Sequence, residues 1–123
     1  NTVKQLLTQS TKKYSDFVQE TISYIQDHIA EDLSLEVLAK IVNSNESYLS
    51  RTFKKECGIS IINYITTLRI ALAKDLLAGS TLRTFEIADS IGIHDAAYFS
   101  SLFKKNTGLS PKEYRNQFIH QTN

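Results

Sequence analysis

The feature that most constrains this chain is an internal repeat with a period of 50 residues. When residues 48–64 are compared with residues 98–114, eight of the seventeen positions are identical. The first copies of the identical residues are Tyr48, Ser50, Phe53, Lys54, Lys55, Gly58, Ser60 and Tyr64. Upstream, a shift of 49 residues aligns Leu38-Ala39 with Ile87-Ala88. The chain therefore contains the same structural unit twice.

Each copy is predicted to contain two short helices joined by a turn. The periodicity of apolar residues places these helices at about 35–41, 46–56, 84–91 and 95–106. Candidate N-caps and helix stops flank them at Ser34, Gly58, Asp95 and Gly108. A small residue on the first helix, Ala39 or Ala88, allows the two helices to cross closely. Each copy thus has the pattern of a helix-turn-helix.

A third kind of element joins the two copies. Ser60 to Leu77 is predicted to be one uninterrupted helix, capped by Ser60 and stopped at Gly79. Its apolar stripe comprises Ile61, Ile65, Leu68, Leu72 and Leu76. Further helices are expected at 16–30 and 111–118. The predicted fold is all-α, with about seven helices and four segments: a linker or disordered end at 1–14, helix-turn-helix subdomains at 15–59 and 79–123, and the connector helix at 60–78.

Several classes of function are disfavoured by composition. Cys57 is the only cysteine, so neither an internal disulfide nor a thiolate metal cage is expected, which fits a reducing compartment such as the cytoplasm. No apolar run reaches the length of a membrane span, and no catalytic triad or phosphate-binding glycine loop is evident. His28, His94 and His120 lack neighbours at ligand spacing. We therefore expect no enzyme activity, no metal or other cofactor, and no membrane partner.

The second helix of each copy has an outward face that could read bases in the DNA major groove. The candidate base-reading residues are Ser47, Ser50, Arg51, Ala96, Ala97, Ser100 and Ser101. The candidate phosphate-binding residues are Lys54, Lys55, Lys104, Lys105 and Asn106. The connector would be roughly 27 Å long, a suitable length for placing both helices on major-groove faces about 34 Å apart.

Alternative roles stay open for several of these residues. Arg51 could form a surface ion pair with Glu46, and the lysine pairs could belong to a solvated face. The net charge of +1 gives little support to nucleic-acid binding, although residues 33–123 hold eleven basic against eight acidic residues. Tyr48 and Tyr98 are expected to pack between helices rather than reach the DNA backbone. Cys57 is expected to be a half-buried small apolar residue.

The repeat resembles the DNA-binding domain of the AraC/XylS family of bacterial transcription regulators over about residues 18–118. The most specific stretches are Ile87-Ala88-x-x-x-Gly92 and Tyr98-Phe99-x-x-x-Phe103-Lys104-Lys105-x-x-Gly108-x-Ser110-Pro111-x-x-Tyr114-Arg115. Ser101 and Ile93 depart from the family pattern, which commonly has Arg and Phe there. The loss of that Arg implies weaker readout by the second unit.

The resemblance implies sequence-specific binding of double-stranded promoter DNA, with RNA polymerase as a further expected partner. The chain contains no Met and begins with a polar stretch. We therefore expect a monomeric or weakly associating fragment, separated from a sensing or dimerisation domain. The alternative function, motivated by Ser101 and the near-neutral charge, is a helical protein-interaction module that has lost productive DNA binding.

Overall fold

The computed structural model of the chain describes residues 14–121. This part contains seven helices and no strand, which confirms the predicted all-α class. The helices are α1 (Asp16–Asp27), α2 (Leu35–Ile41), α3 (Glu46–Cys57), α4 (Ile61–Gly79), α5 (Thr84–Ser90), α6 (Ala96–Thr107) and α7 (Pro111–Gln121). None of the helices in residues 14–121 is long and apolar enough to cross a membrane.

The chain divides into two compact units, and the boundary lies between Leu68 and Arg69, within α4. The first half of the connector helix therefore belongs to the first unit and the second half to the second unit. Each unit contains one predicted helix-turn-helix, α2–α3 or α5–α6.

The core of the first unit is formed by α1 to α3 and the first half of α4. Leu49 and Phe53 of α3 are fully buried, and the ring of Phe53 packs edge-on against Tyr64, with centroids 5.7 Å apart. The Tyr64 hydroxyl accepts a hydrogen bond from Gln26 Nε2 at 3.1 Å. Because α3 buries one face in this way, its opposite face is left for solvent or a partner.

The second unit repeats this packing with α5, α6, α7 and the second half of α4. Phe99 and Phe103 occupy the positions of Leu49 and Phe53 and are equally buried. Phe103 packs edge-on against Tyr114, with centroids 5.5 Å apart. The sequence repeat is thus also a repeat of core contacts.

Several helices differ from their predicted extents, since α4 runs to Gly79 instead of Leu77 and α7 runs to Gln121 instead of residue 118. α1 ends at Asp27 instead of Ala30, because residues 28–30 form a turn in which the His28 carbonyl accepts a hydrogen bond from the Glu31 N–H. The predicted apolar stripe of α4, which Tyr64, Ala71 and Ala73 widen, is also too narrow, since the second half of the helix buries Ile70 and Leu77 as well. Each half of α4 buries the side chains that face its own unit.

The turns between the paired helices have the same construction in both units. The N–H of Ser44 donates to the Ala39 carbonyl at 2.8 Å, and the N–H of Ile93 donates to the Ala88 carbonyl at 2.9 Å. Asn43 adopts the left-handed conformation, with φ of 55°, at the position where the second unit has Gly92. This shared turn sets the direction in which α3 and α6 leave the core.

Candidate nucleic-acid interface

The N-terminus of α3 is held by a side-chain cap, and the same is true of α6. Asn45 Oδ1 accepts a hydrogen bond from the Tyr48 N–H at 2.8 Å, and Asp95 Oδ1 accepts one from the Tyr98 N–H at 3.0 Å. The opposite ends stop at Gly58 and Gly108, which adopt left-handed φ angles of 83° and 84°. Both helices therefore begin and end at matching positions of the repeat.

The solvent-facing side of α3 forms a shallow groove with α2. Leu35, Glu46, Ser47, Ser50 and Arg51 line this groove, which we call the first groove. Ser47 and Arg51 are exposed and Ser50 is half-buried. No ion pair between Arg51 and Glu46 is found within residues 14–121. The structure thus brings the three predicted base-reading residues of the first unit together and leaves the Arg51 guanidinium facing solvent.

The second unit has a corresponding groove between the ends of α5, α6 and α7, the second groove. Thr84, Phe85, Ala96, Ala97, Ser100, Ser110, Pro111 and Lys112 line it. Ala96 and Ala97 are exposed, and Ser100 is half-buried like Ser50. Ser101 is exposed on α6 but does not line this groove. At the positions where the first groove presents Glu46 and Ser47, the second presents two methyl groups.

The predicted phosphate-binding lysines lie in the last turns of the two helices. Lys54, Lys55, Lys104 and Lys105 are all exposed. Asn106 is exposed as well, but its Nδ2 donates to the Leu102 carbonyl at 2.8 Å. Its side chain is therefore partly engaged by its own helix, whereas the four ammonium groups face solvent.

The expectation that both tyrosines pack between helices is wrong for Tyr98, whose surface is 59% exposed. Tyr48 is 50% exposed and stacks one side of its ring on Phe17, with centroids 5.5 Å apart. Each tyrosine lies in the first turn of its helix, three residues after the cap, and whereas Phe17 of α1 covers one face of Tyr48, no aromatic ring within residues 14–121 stacks on Tyr98. Both rings are accessible beside the candidate interface.

Cys57 is half-buried, as predicted. Burial, with a smaller contribution from the Glu56 carboxylate, raises the pKa of its thiol to about 11. A thiol that stays protonated at neutral pH is a poor nucleophile and a poor metal ligand. Within residues 14–121, no group of three or more His, Cys, Asp or Glu side chains could hold a metal ion.

Two residues with a prominent place in the structure were given no role from the sequence. Phe85 is 56% exposed and lines the second groove. The sequence could have drawn attention to Phe85, because the 49-residue shift aligns this aromatic residue with the charged Glu36 of the first unit. Arg115 donates from Nε to the Leu77 carbonyl at 3.0 Å and from Nη2 to the Ser80 carbonyl at 3.1 Å. No local sequence pattern indicated these hydrogen bonds, because they join residues far apart in the chain.

Comparison with known proteins also indicates a helix-turn-helix domain. A family of helix-turn-helix domains matches residues 38–117. The chain is 39% identical over 101 residues to the bifunctional transcriptional activator/DNA repair enzyme AdaA of Bacillus subtilis, covering 82% of this chain and 48% of that protein. It is 36% identical over 99 residues to the arabinose operon regulatory protein of Escherichia coli, covering 80% and 34%. The chain thus spans between a third and a half of the length of these curated relatives.

A solved structure extends the similarity to the whole fold. The C-terminal domain of AraT, a response regulator from Geobacillus stearothermophilus, superimposes with a TM-score of 0.84 at 40% identity, covering 86% of this chain and 88% of that one. The helix-turn-helix match covers more than half of the chain, and its relatives are regulators of transcription. The chain belongs to the AraC family of transcription regulators and is a DNA-binding domain of that family.

Proposed function

We propose that this domain binds promoter DNA by placing α3 and α6 in successive major-groove faces. The observation that carries the proposal is the matched pair of exposed helix faces, each held by the same cap, turn and core contacts. The length of α4 supports the spacing, since its 19 residues correspond to ~28 Å. Major-groove faces on one side of B-DNA recur about every 34 Å.

The first unit carries most of the base readout in this proposal. Arg51 is the residue best suited to a bidentate contact with guanine, because its guanidinium is exposed and not paired with Glu46. Ser47 and Ser50 lie in the same groove and can donate or accept hydrogen bonds at base edges. A good bidentate contact discriminates against the wrong base by about 1–3 kcal/mol.

The second unit contributes mainly phosphate binding and spacing. Its predicted readers are two alanines, whose methyl groups cannot form hydrogen bonds with bases, and the serines Ser100 and Ser101. Lys104 and Lys105 are exposed and would neutralise phosphates in this proposal, as would Lys54 and Lys55 in the first unit. Base changes under α3 should therefore reduce affinity more than base changes under α6.

The test is a binding-site selection from random double-stranded DNA, carried out with the wild-type domain. We expect more information content in the half-site contacted by α3. Arg51→Ala should relax the preference at one or two base pairs, while Ser101→Arg should strengthen binding without changing the preference under α3. Equal information content in the two half-sites would contradict the asymmetry, and failure to select any site would favour the protein-interaction function.

For the whole protein we propose a cytoplasmic regulator in which this domain is combined with a sensing or dimerisation domain and in which RNA polymerase is a partner. The support is that the domain covers only part of its relatives, one of which is named a transcriptional activator. Light scattering on the domain alone should then show a monomer. A tight dimer would mean that this domain carries dimerisation itself.

A further inference from the structure

The exposed ring of Phe85 is difficult to explain by folding. It lies in the first turn of α5, outside the buried core of the second unit. The aligned position in the first unit holds Glu36, a charged residue that is also exposed. An exposed phenyl group costs free energy in water unless something covers it. The other residues of the groove that Phe85 lines indicate which kind of group could cover its ring.

Phe85 forms a wall of the second groove together with Ala96 and Ala97. Among the residues that the structure describes, no carboxylate lines that groove, and the only charged side chain in its lining is Lys112. The first groove, built from the same positions of α3, instead has Glu46 and Arg51 in its lining. The two units thus present different chemistry on equivalent surfaces, one charged and hydrogen-bonding, the other apolar with a single positive charge.

The other side of Phe85 is acidic. A neighbouring groove is lined by Phe85 and Ala96 together with Glu86 and Asp89. Asp89 Oδ1 lies 2.5 Å from His94 Nδ1. Carboxylates there would repel DNA phosphates, whereas Lys112 on the opposite side would attract them. Ala96 borders both grooves, and charge therefore favours an approach of DNA to the side of Phe85 that faces Ala97 and Lys112.

We propose that Phe85, Ala96 and Ala97 form a thymine-recognition site that receives the C5-methyl group in the major groove. This inference rests on the proposed function, because it requires α6 to lie against base edges. Apolar contact with Ala or Phe is a recognised way of reading the thymine methyl. The second unit would then discriminate thymine from the other bases through methyl contact, without any hydrogen bond, and Phe85 would be its main specificity residue.

The test uses a site obtained by selection, in which each thymine is replaced in turn by uracil. Uracil keeps base pairing and lacks only the C5-methyl group. In the half-site under α6, at least one replacement should weaken binding by about two- to fourfold, the amount expected for one buried methyl group. Phe85→Ala should weaken binding to the thymine site by at least as much and should remove the effect of uracil at that position.

Ile59→Ala is the matched control, because Ile59 is an exposed apolar residue that lines neither groove, and its counterpart in the repeat, Leu109, lines neither groove as well. This control variant should change neither the affinity nor the effect of uracil. Arg51→Ala should reduce the affinity but should not change the effect of uracil under α6. A harmless uracil at every position under α6, or a uracil effect that persists undiminished in Phe85→Ala, would overturn the thymine site while the proposed function stands. Loss of all site preference in the wild-type domain would overturn both.

Discussion

Replacing Arg115 with alanine should destabilise the second unit rather than weaken a DNA contact. The guanidinium lies at the C-terminal end of α4, where the last carbonyl groups of a helix lack partners within the helix. It donates to the Leu77 carbonyl at 3.0 Å and to the Ser80 carbonyl at 3.1 Å, with a longer contact of 3.4 Å to the Leu76 carbonyl. One side chain thus ties α7 to the end of α4.

The size of the effect follows from these contacts. A hydrogen bond from a charged donor contributes about 1.5–3 kcal/mol net, and a cation at a helix C-terminus adds about 0.3–1 kcal/mol. Arg115 is only half-buried, so water replaces part of what is lost. We therefore expect Arg115→Ala to lower the free energy of unfolding by about 2–3 kcal/mol, less than the sum of the separate contributions.

Urea unfolding followed by far-ultraviolet circular dichroism measures this loss. With the dependence on urea usual for small domains, the midpoint should fall by about 1–2 M. Arg115→Lys is the control: it keeps the charge near the helix end but cannot reach several carbonyls with a planar fork, so its loss should be intermediate. If Arg115→Ala unfolded like the wild type and instead lost affinity for DNA, the guanidinium would serve the DNA and the reasoning would be wrong.

The remaining predictions concern single positions in the first unit and one matched pair. Lys54→Ala should flatten the log–log salt dependence of DNA binding by about one unit, and an unchanged slope would show that Lys54 contacts no phosphate. Gly58→Ala and Gly108→Ala should each lower the free energy of unfolding by ~1–2 kcal/mol, because both residues have left-handed φ and nothing lies within 4 Å of an added Cβ; a much larger loss in urea would reveal a clash. The Cys57 thiol has its pKa raised to about 11 by burial, so its alkylation by iodoacetamide should rise with a midpoint near that pH. Because the thiol ionises at lower pH in the unfolded chain than in the folded one, the free energy of unfolding should fall between about pH 9 and 11. An alkylation midpoint at about 8.5, the ordinary thiol value, would refute the raised pKa.

Much of the fold follows from the sequence because the deciding contacts are local. Asp95 caps α6 through the N–H three residues on, and Gly58 ends α3 because a left-handed residue is needed there. The apolar spacing of Leu49 and Phe53 already indicates which face of α3 is buried. The repeat then carries each assignment from one unit to the other, and the predicted family and DNA-binding role are confirmed. The individual DNA-contacting residues stay predictions.

Only the tertiary structure decided the contacts between distant parts of the chain. Arg115 and the Leu77 carbonyl are 38 residues apart, and no local pattern relates them. Phe85 and Ala96 come from different helices, so their shared groove depends on how α5 packs against α6. The exposure of Tyr98 likewise depends on which helices fail to cover it. Local hydrogen bonds and apolar periodicity are properties of neighbouring residues, whereas grooves and exposed rings are properties of packing, which sequence spacing alone does not determine.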